Sequence, residues 1–468
     1  MNKQAVIKMN IFSFLLICLL SCSKNDAPTP NPPNGGDTTV VDPTPPQYGT
    51  PFTNVPDREN AIIYQVNIRA FSDAGNLQGV ISRLDSIKAL GVNIIYLMPT
   101  YPVGQVKSVN SPYCVKDYLG VNSEFGTLTD LRALVDGAHT RNMAVMMDWV
   151  ANHTSWDNAW ITQHKNWYQQ DVNGNIISPP NTNYTDVAQL NFSNDSMRLE
   201  MIKDMKYWVY TANVDGFRCD FADHPPLDFW TQAIDTLRNI KTHKLLLLAE
   251  GSRSDNYIAG FDYNFGFGFY DDLKSIYNSN KTVTSIDDVN TSEYTSATGT
   301  QRVVRYITNH DVNGSDGTPL TVFNGEDGSM AAFVVAALMK SVPMIYDGQE
   351  VGFATPITFP FTSVNIDWTP NPSVTNTYKQ IIGFRNNSDV IREGDLTSYN
   401  SNDACVFTKQ FNGNKVLVIV NMRNVPTNYA VPSALQNTSW KDAFNGSAVT
   451  IGTGVSLQPY EYKILVNG

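Results

Sequence analysis

The sequence predicts an α/β protein: a (β/α)8 barrel with a short excursion after its third strand and a C-terminal antiparallel β domain. Three observations predict it. Short, fully apolar runs alternate with amphipathic segments through most of the chain, which is the pattern of a parallel sheet buried on both faces. Counted in order, the alternation gives eight strands set among helices, enough to close on themselves. From about residue 389 the pattern changes to period-two runs, as at 404–410 and 416–421. An open doubly wound sheet is the competing architecture, and no Gly-rich phosphate loop supports it.

Residues 62–68 read as a strand, 77–90 as a helix with Leu84, Ile87 and Leu90 on one face, and 92–98 as a strand. A helix over 129–141, a strand over 144–148 and a long helix over 195–211 come next, the last capped by Asn194 or Asp195. Strand 214–220, helix 227–240 and the leucine-rich strand 245–250 continue the series. A weaker strand at 261–265, a helix near 271–277, strand 303–308, helix 327–340, strand 343–346 and helix 375–387 complete it. Residues 152–191 are too long for an ordinary βα connection and are expected to form a small subdomain. The catalytic barrel is thus expected over 57–388 and the C-terminal β-sandwich over 389–468.

The N-terminus carries an address. Lys3 and Lys8 precede an apolar run over 11–20, and Ser21-Cys22 follows it. That is a basic region, an apolar stretch too short for a comfortable membrane span, and a small residue before cysteine. It resembles a bacterial lipobox, with 1–21 as signal peptide and Cys22 as the lipidated residue. Residues 22–56, rich in Pro, Thr and Asn, are expected to be an extended tether. The expected location is a membrane-anchored, exported bacterial lipoprotein at the outer membrane, cell surface or periplasmic face.

Composition excludes other classes. The 468 residues carry 33 Lys plus Arg against 44 Asp plus Glu, a net charge of −11. A phosphate-neutralising nucleic-acid binder needs the opposite balance. The five cysteines are too scattered for a disulfide framework or zinc site. Asp171-Val172-Asn173-Gly174-Asn175 superficially resembles a calcium loop, but Ile176 and Thr182 stand where that loop needs Gly and Glu, so an Asn-Gly turn is expected. Trp149, Trp156, Trp160 and Trp167 cluster around the excursion, where they could line a groove or simply pack it.

Chemistry is expected at the C-terminal ends of the barrel strands. Strand three runs into Asp148-Trp149-Val150-Ala151-Asn152-His153, strand four into Gly216-Phe217-Arg218-Cys219-Asp220, strand five into Glu250 and strand seven into Asn309-His310-Asp311. Four acidic ends on one rim crowd their charges, which favours one protonated and one ionised carboxyl. Cleavage of a glycosidic bond needs such a pair.

These four stretches resemble the signature regions of the α-amylase family, glycoside hydrolase family 13. Tyr113 to Tyr118, Gln189-Leu190-Asn191 and Gly348-Gln349-Glu350 add further matches, and the resemblance runs from about Ala61 to the C-terminus. It implies Asp220 as nucleophile, Glu250 as general acid and base, and Asp311 as transition-state stabiliser. It further implies a substrate-binding set of Tyr113, His153, Arg218 and His310. Arg218 would orient Asp220, and Asp148 would be a hydrogen-bonding partner at the rim. The substrate implied is an α-glucan such as starch or a maltodextrin, hydrolysed at α-1,4 bonds with retention. An α-1,6-acting enzyme or a transglycosylase would use the same residues, and a non-catalytic surface glucan-binding lipoprotein is the alternative of another class. No cofactor is required for the chemistry, and a monomer is expected. Two departures stand out: Asp223 occupies the place of a lysine that contacts the leaving-side sugar in many members, and Gln189 that of a calcium-binding Asp. Asn152, Asp186 and His224 are the residues that could still hold a structural Ca2+.

Overall fold

A computed structural model describes residues 44–467. The expected signal peptide and the expected lipidation site, Cys22, lie outside the described residues. Among those described, no helix is long and apolar enough to cross a membrane.

Eight parallel strands close a barrel: β1 (Ile63–Val66), β2 (Ile94–Leu97), β3 (Ala144–Val150), β4 (Gly216–Asp220), β5 (Leu246–Ala249), β6 (Tyr263–Phe265), β7 (Arg302–Arg305) and β8 (Val342–Tyr346). Each pairs with its sequence neighbours, and β8 closes on β1. Every strand residue is buried, because side chains on one face fill the barrel and those on the other meet the helices. The register sets which strand ends meet: Asp148 of β3 lies opposite Arg218 of β4, and Cys219 of β4 opposite Ala249 of β5. Asp220 and Glu250, one residue further on, therefore leave the sheet side by side.

Local signals explain most helix boundaries. Thr127 and Asp130 form a capping box at the start of the helix Leu128–His139. Asn194 caps the helix Asp195–Ala212 through a bond from the Met197 N–H, and Asn213 ends it in the left-handed conformation. The single helix expected over 77–90 is instead two, Leu77–Ile81 and Leu84–Ala89. Between them the Ser82 hydroxyl donates to the Gly79 carbonyl, the local competition that disfavours serine inside helices.

Residues 48–55, expected to belong to an extended tether, pack on the folded body instead. Tyr48 donates its N–H to Tyr210 O and its hydroxyl to Asp136, the Asn213 amide donates to Thr50 O, and Phe52 stacks on His139. Residues 48–55 thus lie against the segments that lead into β3, β4 and β5, at the N-terminal end of the barrel.

The C-terminal unit is built from β9 (Asp395–Ser398), β10 (Ala404–Phe411), β11 (Asn414–Asn421), β12 (Thr427–Ala430), β13 (Thr438–Asp442), β14 (Ala448–Ile451), β15 (Gly454–Leu457) and β16 (Tyr462–Val466). Six form one sheet in the order β9-β10-β11-β16-β13-β14, and β12 pairs with β15 as a separate ribbon. Residues 389–393, expected to open this unit, are a short helix. Strand alternation divides the apolar side chains between two cores. Ala404, Val406, Leu417 and Ile419 pack with Tyr429 and Leu457 of the ribbon. Cys405, Phe407, Val418 and Val420 join the core of the barrel. That second contact explains why the helix Glu326–Leu338 is buried all round from Gly328 onward: the barrel covers one side and the sheet the other.

Candidate active site

A cavity of about 620 Å3 opens at the C-terminal ends of the strands. Asp220, Glu250, Asp311, His153, His310, Tyr113 and Asp186 all line it. The three acidic residues expected to carry chemistry therefore share one cleft, within the size range of small-molecule sites.

Arg218 organises the floor. It is fully buried and follows the alternation of β4, so it projects to the same side as Asp220. Its Nη1 donates to Asp148 Oδ1 at 2.7 Å and to Asp220 Oδ1 at 2.8 Å, and its Nη2 lies 2.5 Å from Glu250 Oε1. One guanidinium thus holds three carboxylates from three adjacent strands, and it fixes Asp220 and Glu250 as close neighbours. The Phe221 N–H donates to the other Glu250 oxygen at 2.7 Å. Burial pushes the Asp220 carboxyl up, the Glu250 charge adds to this, and Arg218 pulls it back down.

A second chain of bonds runs behind the floor. The Gln65 amide donates to His310 Nδ1 at 2.7 Å, His310 Nε2 donates to the Tyr113 hydroxyl at 2.7 Å, and that hydroxyl donates to Asp148 Oδ2 at 3.2 Å. Tyr96 donates to the same Asp148 oxygen at 2.6 Å. In that tautomer each of these N–H and O–H groups meets an acceptor, and His310 is a neutral imidazole. Burial, then Arg218, lowers its pKa to about 4. Burial lowers His153 likewise to about 4.

Asp148 and Arg218, placed by the resemblance among the residues around the substrate, keep the supporting bonds expected of them but do not reach the cavity. Both are sealed at 0% exposure and hold the residues that line it. Tyr113, His153 and His310 remain at its wall. None of the four tryptophans lines it either. Trp149 and Trp167 are buried, and the aromatic wall comes from Tyr113, Tyr184, Phe221, Phe267, Phe359 and Phe361.

The residues named for calcium do not fit a shared ion. Gln189 Nε2 donates to both the carbonyl and the side-chain oxygen of Asn152, at 3.1 and 3.0 Å, and the Asn152 amide returns a bond to Gln189 Oε1 at 3.1 Å. His224 Nδ1 contacts the same side-chain oxygen at 2.7 Å. The two Asn152 oxygens that a cation would draw in are already satisfied by the Gln189 amide. Asp186 lies three residues from Gln189 along an extended segment, roughly 10 Å away and on the other face, where it lines the cleft. Among the described residues no group of three or more His, Cys, Asp or Glu is placed to hold a metal ion. Asp171 to Asn175 is a tight turn, with Gly174 at φ 79°.

Sequence reasoning missed Phe221 and the support residues Gln65 and Tyr96. The latter two sit at inward positions of β1 and β2, a signal that strand alternation carries. Phe221 takes φ 47°, unusual for a bulky residue, and nothing in its own chemistry announces that.

Comparison with known proteins agrees with this geometry. The family profile described as "Alpha amylase, catalytic domain" matches residues 47–184 and 180–371. Alpha-amylase 3 of Dictyoglomus thermophilum is 28% identical over 345 residues, which is 64% of this chain and 65% of that protein, so the chain spans just under two thirds of that relative. An oligo-1,6-glucosidase of a Bacillus species is 31% identical over 197 residues, covering 35% of this chain and 38% of the relative. The crystal structure of an alpha-amylase from Lactobacillus plantarum superposes with a TM-score of 0.78 at 26% identity, covering 88% of this chain and 99% of that one. A closed barrel with its acidic residues gathered at one mouth, matched along its length by that profile, places the chain in the α-amylase family of glycoside hydrolases.

Proposed function

We propose that this protein hydrolyses α-1,4-glucosidic bonds of starch-like glucans with retention of configuration, through a covalent glycosyl-enzyme. The observation that carries the reading is the single buried guanidinium bound to both Asp220 and Glu250. Retaining enzymes need their two carboxyls about 5–5.5 Å apart, and contact of both with one guanidinium supports so close a pair. Asp220 attacks the anomeric carbon while Glu250 gives its proton to the departing glycosidic oxygen. Glu250 then takes a proton from water, which displaces Asp220 and leaves an α product. Asp311, with its side chain 55% exposed, reaches into the cleft where ring hydroxyls lie and stabilises the oxocarbenium-like transition state. His153 and Tyr113 line the place of the sugar before the cleaved bond, Tyr113 offering its ring, and His310, whose two ring nitrogens are taken by Gln65 and Tyr113, holds that tyrosine in place beside the sugar.

The test is a product time course with starch, maltoheptaose and pullulan, read by proton NMR. An α anomer formed first supports the reading, and a β anomer overturns it. Asp220→Asn and Glu250→Gln are each expected to lose more than about 1,000-fold in kcat. Release of no reducing ends from any substrate would mark a glucan binder instead. The match to oligo-1,6-glucosidases supports a second reading, α-1,6 cleavage on the same residues, which faster hydrolysis of pullulan or isomaltose would reveal. Transglycosylation would show as products longer than the substrate. The basic and apolar leader ending in Cys22 supports a lipid anchor on a bacterial membrane, testable by labelling with a radioactive fatty acid in the parent and in Cys22→Ser.

A further inference from the structure

Asp223 lies three residues beyond Asp220, on the turn that leaves β4, and it lines the cleft. Its carboxylate is spent on the neighbouring turn, the one that leaves β5 just after Glu250. Oδ2 accepts from the Ser252 N–H at 2.8 Å, Oδ1 accepts from the Asn256 amide at 2.9 Å, and the Arg253 N–H reaches both oxygens at 3.2 and 3.3 Å. Arg253 closes the loop in return, donating from Nη1 to the Asp223 carbonyl at 2.8 Å. The fit leaves no slack: a Cβ at Gly251 would stand 2.1 Å from Asp223 Oδ1. Two backbone bonds run parallel to this tie, Ala222 N to Glu250 O and Glu250 N to Cys219 O, each 2.9 Å. The Phe221 N–H, held at φ 47° by the same turn, fixes the Glu250 carboxylate itself.

We propose that Asp223 is a positioning residue for Glu250, clamping the turn after β5 to the turn after β4 so that the acid stays in line with the bond it protonates. The proposal rests on the catalytic roles given to Asp220 and Glu250 under the proposed function. It predicts a signature that loss of fold or of sugar binding lacks, since a misplaced acid hurts poor leaving groups far more than good ones.

The experiment compares the full-length parent with Asp223→Ala and Asp223→Asn on two substrates. Maltoheptaose has a sugar alcohol as leaving group and needs the proton. An aryl α-maltoside with an acidic phenol scarcely does. For Asp223→Ala, kcat/KM on maltoheptaose is expected to fall about 10- to 100-fold, through kcat with KM within about threefold, while kcat/KM on the aryl substrate, which reports only the formation of the glycosyl-enzyme, falls less than about threefold. Asp223→Asn, which keeps one acceptor oxygen, should fall between parent and alanine variant. Equal losses on both substrates, a loss confined to KM, or full activity in Asp223→Ala would each overturn the proposal. If the alanine variant does not fold, the asparagine variant alone decides, by the same ratio of losses. Glu250→Gln is measured alongside: should it lack the leaving-group signature, the catalytic assignment fails and not the clamp.

Discussion

Asp204 faces inward from the helix Asp195–Ala212 and is only 2% exposed, and its Oδ1 has no hydrogen-bond partner. It borders a cavity of about 440 Å3 shared with Asp117, Tyr118, Trp160 and Glu200. Burial, then the charges of Glu200 and Asp117 against the opposing pull of Lys203, pushes its carboxyl up to about 8. The unfolded chain releases that proton near pH 4, whereas the native state keeps it until about pH 8. Between those values the unfolded state binds fewer protons, so stability falls as pH rises. Each pK unit is worth about 1.4 kcal/mol, so a shift of this size costs the native state several kcal/mol at pH 8.5 and little at pH 4. Asp204→Asn removes the ionisation and keeps the shape. Urea unfolding followed by tryptophan fluorescence should show parent and variant within about 1 kcal/mol at pH 4.5, and the variant ahead by more than about 2 kcal/mol at pH 8.5. Parallel pH curves, or a variant weaker at both values, would refute the argument that burial governs this group.

Three further outcomes are expected. The imidazole protons of His153 and His310 should not move between pH 8 and 5.5 by NMR, because both are held near 4; their contribution to stability is lost only as pH falls below the unfolded value of about 6.5, and a midpoint near 6.5 for either would contradict its burial. Gly216→Ala should destabilise by at least about 2 kcal/mol or abolish soluble expression, since the added carbon would lie 2.0 Å from the Leu246 carbonyl oxygen in the adjacent strand; a normal unfolding midpoint would show that β4 and β5 can separate there. Chelation with EDTA should leave Tm within about 1 °C, while Gln189→Ala should lower it, because the amide pairs with Asn152 where an ion would otherwise be needed; a marked drop on chelation would put a metal back at this seam.

The barrel was legible because its evidence is periodic. Fully apolar runs such as 245–250 admit few other readings once helices separate them, and the acidic strand ends stand out against that background. What stayed hidden was set by partners far away in sequence. Residues 48–55 look like linker until Tyr210, Asp136 and Asn213 are brought beneath them. Phe221 has no turn-forming chemistry, and its backbone is held by a carboxylate 29 residues on. The roles of Arg218 and Asp148 were readable only in part: spacing along β4 gave the pairing with Asp220, but only the register between β3 and β4 shows that both are walled off from the sugar. The helix break at Ser82 is a local effect, one hydroxyl against one carbonyl, too small for apolar spacing to reveal.

The seam beneath the barrel has a mechanical meaning. The chain enters the folded body along the mouths of β3, β4 and β5 that point away from the cleft. Any force applied upstream of Thr44 is therefore taken up at the foot of the molecule and leaves the opposite end free. The cleft lies at the other end of the barrel, so an anchor of the kind proposed above would leave it unobstructed by the entering chain.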